Sequence, residues 1–180
     1  GFFAPGNRDR VLKKHQYYFW SSDPNFEVPK GTRFSVARQI LVNDFNNDGL
    51  DDLFFIQHGP DGTAKRVPQK NEIMLSSKTG YKVRYAPGEK SIWHGGAAGD
   101  IDNDGDIDVV ASPSLNKFGE MTDIALFKNT GQGNFTFKKL FKNVGRFNFL
   151  ELWDVNQDGY LDILMDGHKE AFKISYGKKN

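Results

Sequence analysis

The segment Asp100-Ile101-Asp102-Asn103-Asp104-Gly105-Asp106-Ile107-Asp108 runs directly into the apolar triplet Val109-Val110-Ala111. Two other segments keep its pattern. Asp44-Phe45-Asn46-Asn47-Asp48-Gly49-Leu50-Asp51-Asp52 leads into Leu53-Phe54-Phe55-Ile56, and Asp154-Val155-Asn156-Gln157-Asp158-Gly159-Tyr160-Leu161-Asp162 leads into Ile163-Leu164-Met165. All three read Asp-x-[Asp/Asn]-x-Asp-Gly-x-x-Asp. Side-chain oxygens at positions one, three, five and nine, in a loop turned sharply by glycine at position six, suit a hard, oxygen-seeking cation. Calcium takes six to eight oxygens at roughly 2.3 to 2.6 Å, so four side chains, one main-chain carbonyl and water complete a shell, whereas magnesium demands a stricter octahedron. The expected ligands are therefore Asp44, Asn46, Asp48 and Asp52, then Asp100, Asp102, Asp104 and Asp108, then Asp154, Asn156, Asp158 and Asp162. Position seven, which is Leu50, Asp106 or Tyr160, supplies the carbonyl in each loop. Up to three calcium ions follow. Asn46 and Asn156 keep an oxygen but lose a charge, so the central loop is expected to bind tightest.

An EF-hand loop begins in the same way but ends in a bidentate Glu at position twelve and lies between helices. Position twelve here is Phe55, Ala111 or Met165, and the flanks are short runs rich in branched and aromatic residues, which read as strands. One Asp/Asn/Gly cluster is explained as a solvated turn held by side-chain-to-backbone bonds. Three in register are not.

The spacing between the loops gives the architecture. Asp44 to Asp100 is 56 residues and Asp100 to Asp154 is 54. Strands are predicted before each loop (Ser35 to Val42, Ser91 to Ala98, Phe147 to Trp153) and after it (Asp52 to Gln57, Asp108 to Ser112, Asp162 to Met165). A hairpin follows in each unit: Glu72 to Leu75 with Tyr81 to Tyr85, then Asp123 to Phe127 with Phe135 to Phe137. Phe172 to Tyr176 repeats the first arm of that hairpin, and His15 to Trp20 with Phe26 to Val28 forms another. Repeats of four antiparallel strands over about 50 residues are propeller blades. The expected class is thus all-β, made of β-propeller blades. Residues 1–14 are an arm or connecting loop, 15–30 the last two strands of an incomplete blade, 31–88 and 89–144 two blades, and 145–180 an incomplete one.

With these loops, the apolar runs after them and the hairpin Asn129-Thr130-Gly131-Gln132-Gly133-Asn134-Phe135, the chain resembles the FG-GAP/VCBS repeat family over roughly residues 15–177. That family forms the calcium-loop blades of integrin α-subunit heads, propeller lectins and many secreted bacterial proteins. The resemblance implies structural calcium, an extracellular, secreted or cell-surface setting, and a role in adhesion or carbohydrate binding. It also implies a ring of about seven blades, whereas this chain supplies about three. The remaining blades would come from a longer chain, from further copies or from a partner subunit.

Composition narrows the rest. With 24 Lys and Arg against 23 Asp and Glu, the net charge is +1, so no global field draws the chain to nucleic acid. No apolar run approaches a membrane span. Cysteine is absent, which removes disulfides and thiolate metal sites. No Gly-x-Ser-x-Gly elbow, phosphate-cradling loop or thiol nucleophile is present, and the acid pairs are accounted for by the cation. His58 and His168 each follow the second strand of a blade and are expected on one rim. Trp93, in an inner strand beside His94, is a candidate stacking platform for a sugar, although packing between blades explains it as well. The expected function is a non-catalytic module binding a glycan or an extracellular protein. A polysaccharide-lyase-like enzyme would instead bring His58, His168 and Arg66 or Lys169 into one cleft, and a purely architectural subunit would have its open edges covered by partners.

Overall fold

In a computed structural model the described residues are 37–59, 67–114, 122–167 and 171–178. The expected hairpin over 15–30, as well as Trp20, Arg66, His168 and Lys169, lies outside them. Eleven strands and no helix occur among the described residues. The first sheet is a meander of β1 (Ala37–Asn43), β2 (Asp52–Gln57), β3 (Glu72–Ser77) and β4 (Gly80–Tyr85). The second repeats it with β5 (Ile92–Gly99), β6 (Asp108–Ser114), β7 (Thr122–Asn129) and β8 (Phe135–Gly145). The third holds β9 (Phe149–Trp153), β10 (Asp162–Asp166) and β11 (Lys173–Ser175). Every pairing is antiparallel, and each Asp-rich loop joins the first two strands of its sheet.

The side-chain period of a strand explains how the sheets stack. In the second sheet Val109, Ala111, Ala125 and Phe127 face the first sheet, where they meet Phe54, Ile56 and Ile73. The alternate residues Val110, Ile124 and Leu126 face the third, against Leu150, Ile163 and Met165. A sheet covered on both faces needs an unbroken apolar strand, which is what the run after Asp108 supplies. The first interface is aromatic. Phe54 stands edge-on to Phe127 at 5.3 Å and to Phe135 at 5.6 Å, and Trp93 meets Phe127 at 5.6 Å. Such pairs add specific attraction to the area they bury. The first strands β1, β5 and β9 line up along one edge of the stack.

Small residues set the spacing at that edge. A Cβ built on Gly95 would lie 2.3 Å from the carbonyl oxygen of Asn148, and one on Gly96 would lie 2.7 Å from Ile56 Cδ1. The largest departure from expectation is β8, which continues well beyond Phe137 to Gly145. It follows β7 through two register shifts, and such bulges erase the alternation by which a strand is recognised in sequence. Phe147, expected in β9, precedes that strand and is fully buried.

On the face of the first sheet turned away from the second, Glu72 is 4% exposed and accepts a bond of 3.1 Å from Gln57 Nε2. Burial pushes its carboxyl up from 4.5 to about 7, against the opposing pull of the Gln57 bond. The folded chain therefore holds this proton more tightly than the unfolded one, and stability falls as pH rises from about 4.5 to about 7. At about 1.4 kcal/mol per pKa unit the loss is on the order of 3 kcal/mol. Glu72→Gln is expected to flatten this part of the pH profile in thermal melts at pH 5 and pH 8. An unchanged slope would assign it to another group.

Candidate metal centre

The three loops share one hydrogen-bond frame. At position one, Asp44, Asp100 and Asp154 each accept the position-five N–H at 3.0 Å on one oxygen. The other oxygen takes the glycine N–H at 2.7 to 2.9 Å. At position five, Asp48, Asp104 and Asp158 cap the N–H of position seven. Glycine at position six has φ of 83°, 90° and 87° in the three loops, which is why no other residue suits it.

Position four, unassigned from the sequence, also has a fixed role. Asn47, Asn103 and Gln157 adopt left-handed backbone with φ of 58° to 59°, a region where Asn is tolerated better than most side chains. Two of them reach the next loop: Asn47 Nδ2 donates to Asp106 Oδ1 at 2.8 Å, and Asn103 Nδ2 to the Gly159 carbonyl at 2.9 Å. The signal that could have revealed this was the amide residue held at that position in each loop.

Position nine fastens the loop to the sheet. Asp52, Asp108 and Asp162 are at most 1% exposed. One oxygen of each accepts the N–H of position two, from Phe45, Ile101 and Val155. The other accepts a main-chain N–H beyond or within the third strand, from Ser76, Asn129 and Gly177. Asn129 extends the clamp by donating from Nδ2 to the Phe45 carbonyl of the first loop at 2.8 Å.

In the central loop, oxygens of Asp100, Asp102 and Asp108 lie within 4.8 Å of one another. Burial pushes the Asp108 carboxyl up to about 6, helped by repulsion from Asp102 and Asp104 and opposed by the N–H groups of Asn129 and Ile101. Burial likewise raises Asp52. Asp102 Oδ1 is buried with no hydrogen-bond donor. These observations fit a bound cation: the crowded oxygens are all hard donors, one lacks a donor, and charge among them is already unfavourable. Asp104 is held low by the Asp106 N–H and by Lys128. The Lys128 ammonium pairs with Asp102, and with Asp104 at 3.2 Å.

The other candidates lie elsewhere. Trp93 is 1% exposed, ringed by core residues, with its Nε1 donating to the Gln69 carbonyl at 3.2 Å. No sugar ring can stack on it there. His58 is 7% exposed rather than standing on an open rim, and its Nε2 lies 3.1 Å from Nε2 of His94. That contact needs opposite roles for the two nitrogens, one donating and one accepting. The pair joins the first sheet to the second, at the ends of β2 and β5 far from the Asp loops.

Residues 44–111, from the first loop through the first strands of the second sheet, match the family model described as FG-GAP-like repeat. No curated protein matches the chain at a significant level. The matched segment contains two of the three loops and the strands β2 to β5, so over these residues the chain carries an FG-GAP-like repeat.

Proposed function

We propose that this chain is a calcium-stabilised, non-catalytic binding module of the propeller type, working outside the cell on a glycan or a protein. The observation that carries the reading is the convergence of Asp100, Asp102 and Asp108 in a frame that the flanking loops reproduce bond for bond at positions one and nine. When bound, calcium supplies the positive charge that lets such carboxylates sit together. Positions one and nine already hold the loop closed through backbone N–H groups, and in the central loop position three, Asp102, brings a further oxygen to theirs. Loops of this kind with exposed rims suit millimolar extracellular calcium.

A binding surface is supported by the outer face of the third sheet. Phe149, Trp153, Phe172 and Tyr176 there are each more than half exposed. Counted back from the loop Asp, Phe149 and Trp153 occupy the positions that are Gly95 and Gly99 in the second sheet. A further sheet stacked with the same spacing would meet two large rings where the second sheet offers no side chain. An exposed apolar face of this kind marks an interaction site. The partner is a glycan, an extracellular protein or a blade from further copies, another subunit or more of the same chain.

Calorimetric titration of the chain tests the metal. Up to three calcium ions are expected, with a melting temperature that rises on calcium and falls on chelation, because the ion binds the folded state alone. Retention on a glycan array and on extracellular protein baits should likewise be lost in chelator. A chain that takes no calcium and melts alike in both conditions would overturn the reading.

A further inference from the structure

The central loop differs from its neighbours in one contact. Lys128, in β7, directs its ammonium onto Asp102 and Asp104. Its position in the repeat is fixed by the residue after it, Asn129, whose N–H closes onto Asp108 as Ser76 closes onto Asp52 and Gly177 onto Asp162. The corresponding residues are therefore Leu75 in the first sheet and Tyr176 in the third, neither of which carries charge. Position three responds accordingly. Asn46 and Asn156 bond the N–H of position five at 2.9 and 3.1 Å, whereas Asp102 gives one oxygen to Lys128 and leaves the other, buried, without a donor. The loop with most carboxylates, five between Asp100 and Asp108, is thus the one furnished with an internal cation.

We propose that Lys128 is the resident counter-cation of the central loop: its ammonium holds Asp102 and Asp104 when calcium is scarce and is displaced when the ion arrives. The inference rests on the calcium reading of the loops. Two consequences follow from competition for the same oxygens. Without calcium the ammonium relieves repulsion among the carboxylates and keeps the loop in its frame. With calcium it must surrender those oxygens, so the central loop binds more weakly than its charge implies. The calcium-free and calcium-loaded forms of this loop are then closer in stability than those of its neighbours. Lys128 and Asp104 side chains are each 36% exposed, so solvent screens the pair, and the competition is worth roughly tenfold in calcium affinity.

Lys128→Met keeps the stem and removes the charge. Titration calorimetry is expected to find one calcium equivalent tightened by roughly tenfold, with a lower melting temperature in chelator and a larger rise on adding calcium. Lys128→Arg should keep the parent values. The converse variant, Tyr176→Lys, brings an ammonium to the third loop at an exposed position and should weaken one equivalent. A parent that binds calcium while Lys128→Met leaves every affinity unchanged overturns the proposal and leaves the calcium reading standing. Tyr176→Lys without effect on any site also overturns it. A parent that takes no ion at the central loop while Lys128→Met takes one supports it in its strongest form. If neither chain binds calcium, both readings fall.

Discussion

Asp108→Ala lowers the melting temperature by roughly 5 to 15 °C, the largest loss expected from any single loop residue. The side chain is 1% exposed and its two oxygens satisfy the N–H groups of Ile101 and Asn129. Truncation leaves the buried Asn129 donor and the partly buried Ile101 donor without acceptors, at about 1 to 3 kcal/mol each. Part of this is offset, because burial also makes the ionised carboxylate costly, as its rise to about 6 reflects. The net loss is on the order of 2 to 5 kcal/mol, and each kcal/mol moves the melting point of a chain this long by about 2 to 4 °C. Asp108→Asn, which keeps one acceptor, should lose about half as much. Asp104→Ala, at an exposed position, is the control. If thermal melts in chelator rank Asp108→Ala no lower than Asp104→Ala, position nine is not the clamp the hydrogen bonds describe. In calcium the gap should widen, since a ligand is lost as well.

Gly95→Ala is expected to prise the second sheet from the third. Its backbone is in an ordinary region, so the cost is steric alone. The added Cβ would lie 2.3 Å from the Asn148 carbonyl oxygen and 3.2 Å from the Phe149 Cα, and both are backbone atoms that cannot rotate away. β5 must move from β9, opening the core made by Ala97, Val110, Leu150 and Ile163. Overpacking of this kind costs about 1 to 3 kcal/mol, more where backbone is the obstacle. Limited proteolysis should find the segment from Phe149 to Gly177 cut first, ahead of the first two sheets. A variant that melts with the parent would place the two strands further apart than the fold describes.

These effects show where the sequence was sufficient and where it was not. The loops and their flanking strands were legible because both signals are local: a nine-residue pattern of oxygen donors, and alternation or apolar runs of period two. Stacking was legible in outline, since Val109-Val110-Ala111 can be covered on two faces only by two sheets. Lys128 was not legible. Within β7 it is one of several polar residues at the ends of an apolar centre, and nothing in the spacing from Asp102 brings it to the loop until β6 and β7 pair. The same holds for His58, whose partner His94 is 36 residues away and on another sheet. Trp93 could be read from sequence as a stacking platform for a sugar or as packing between blades, and only its 1% exposure decides between them.

The amide at position four leads to one more conclusion. Asn47 and Asn103 each fasten their own loop to the loop ahead, and the acceptors they use, a position-seven carboxylate and a position-six carbonyl, belong to the motif or sit beside it. A unit added to the row thus needs no bespoke joint of the second kind, because a chain that spells the nine-residue motif again brings the glycine carbonyl with it, whereas the carboxylate that Asn47 uses is particular to Asp106. Growth or loss by whole units costs one tether at a time, as with courses of brick rather than the keyed stones of an arch. That economy explains how one loop grammar can serve assemblies of different length.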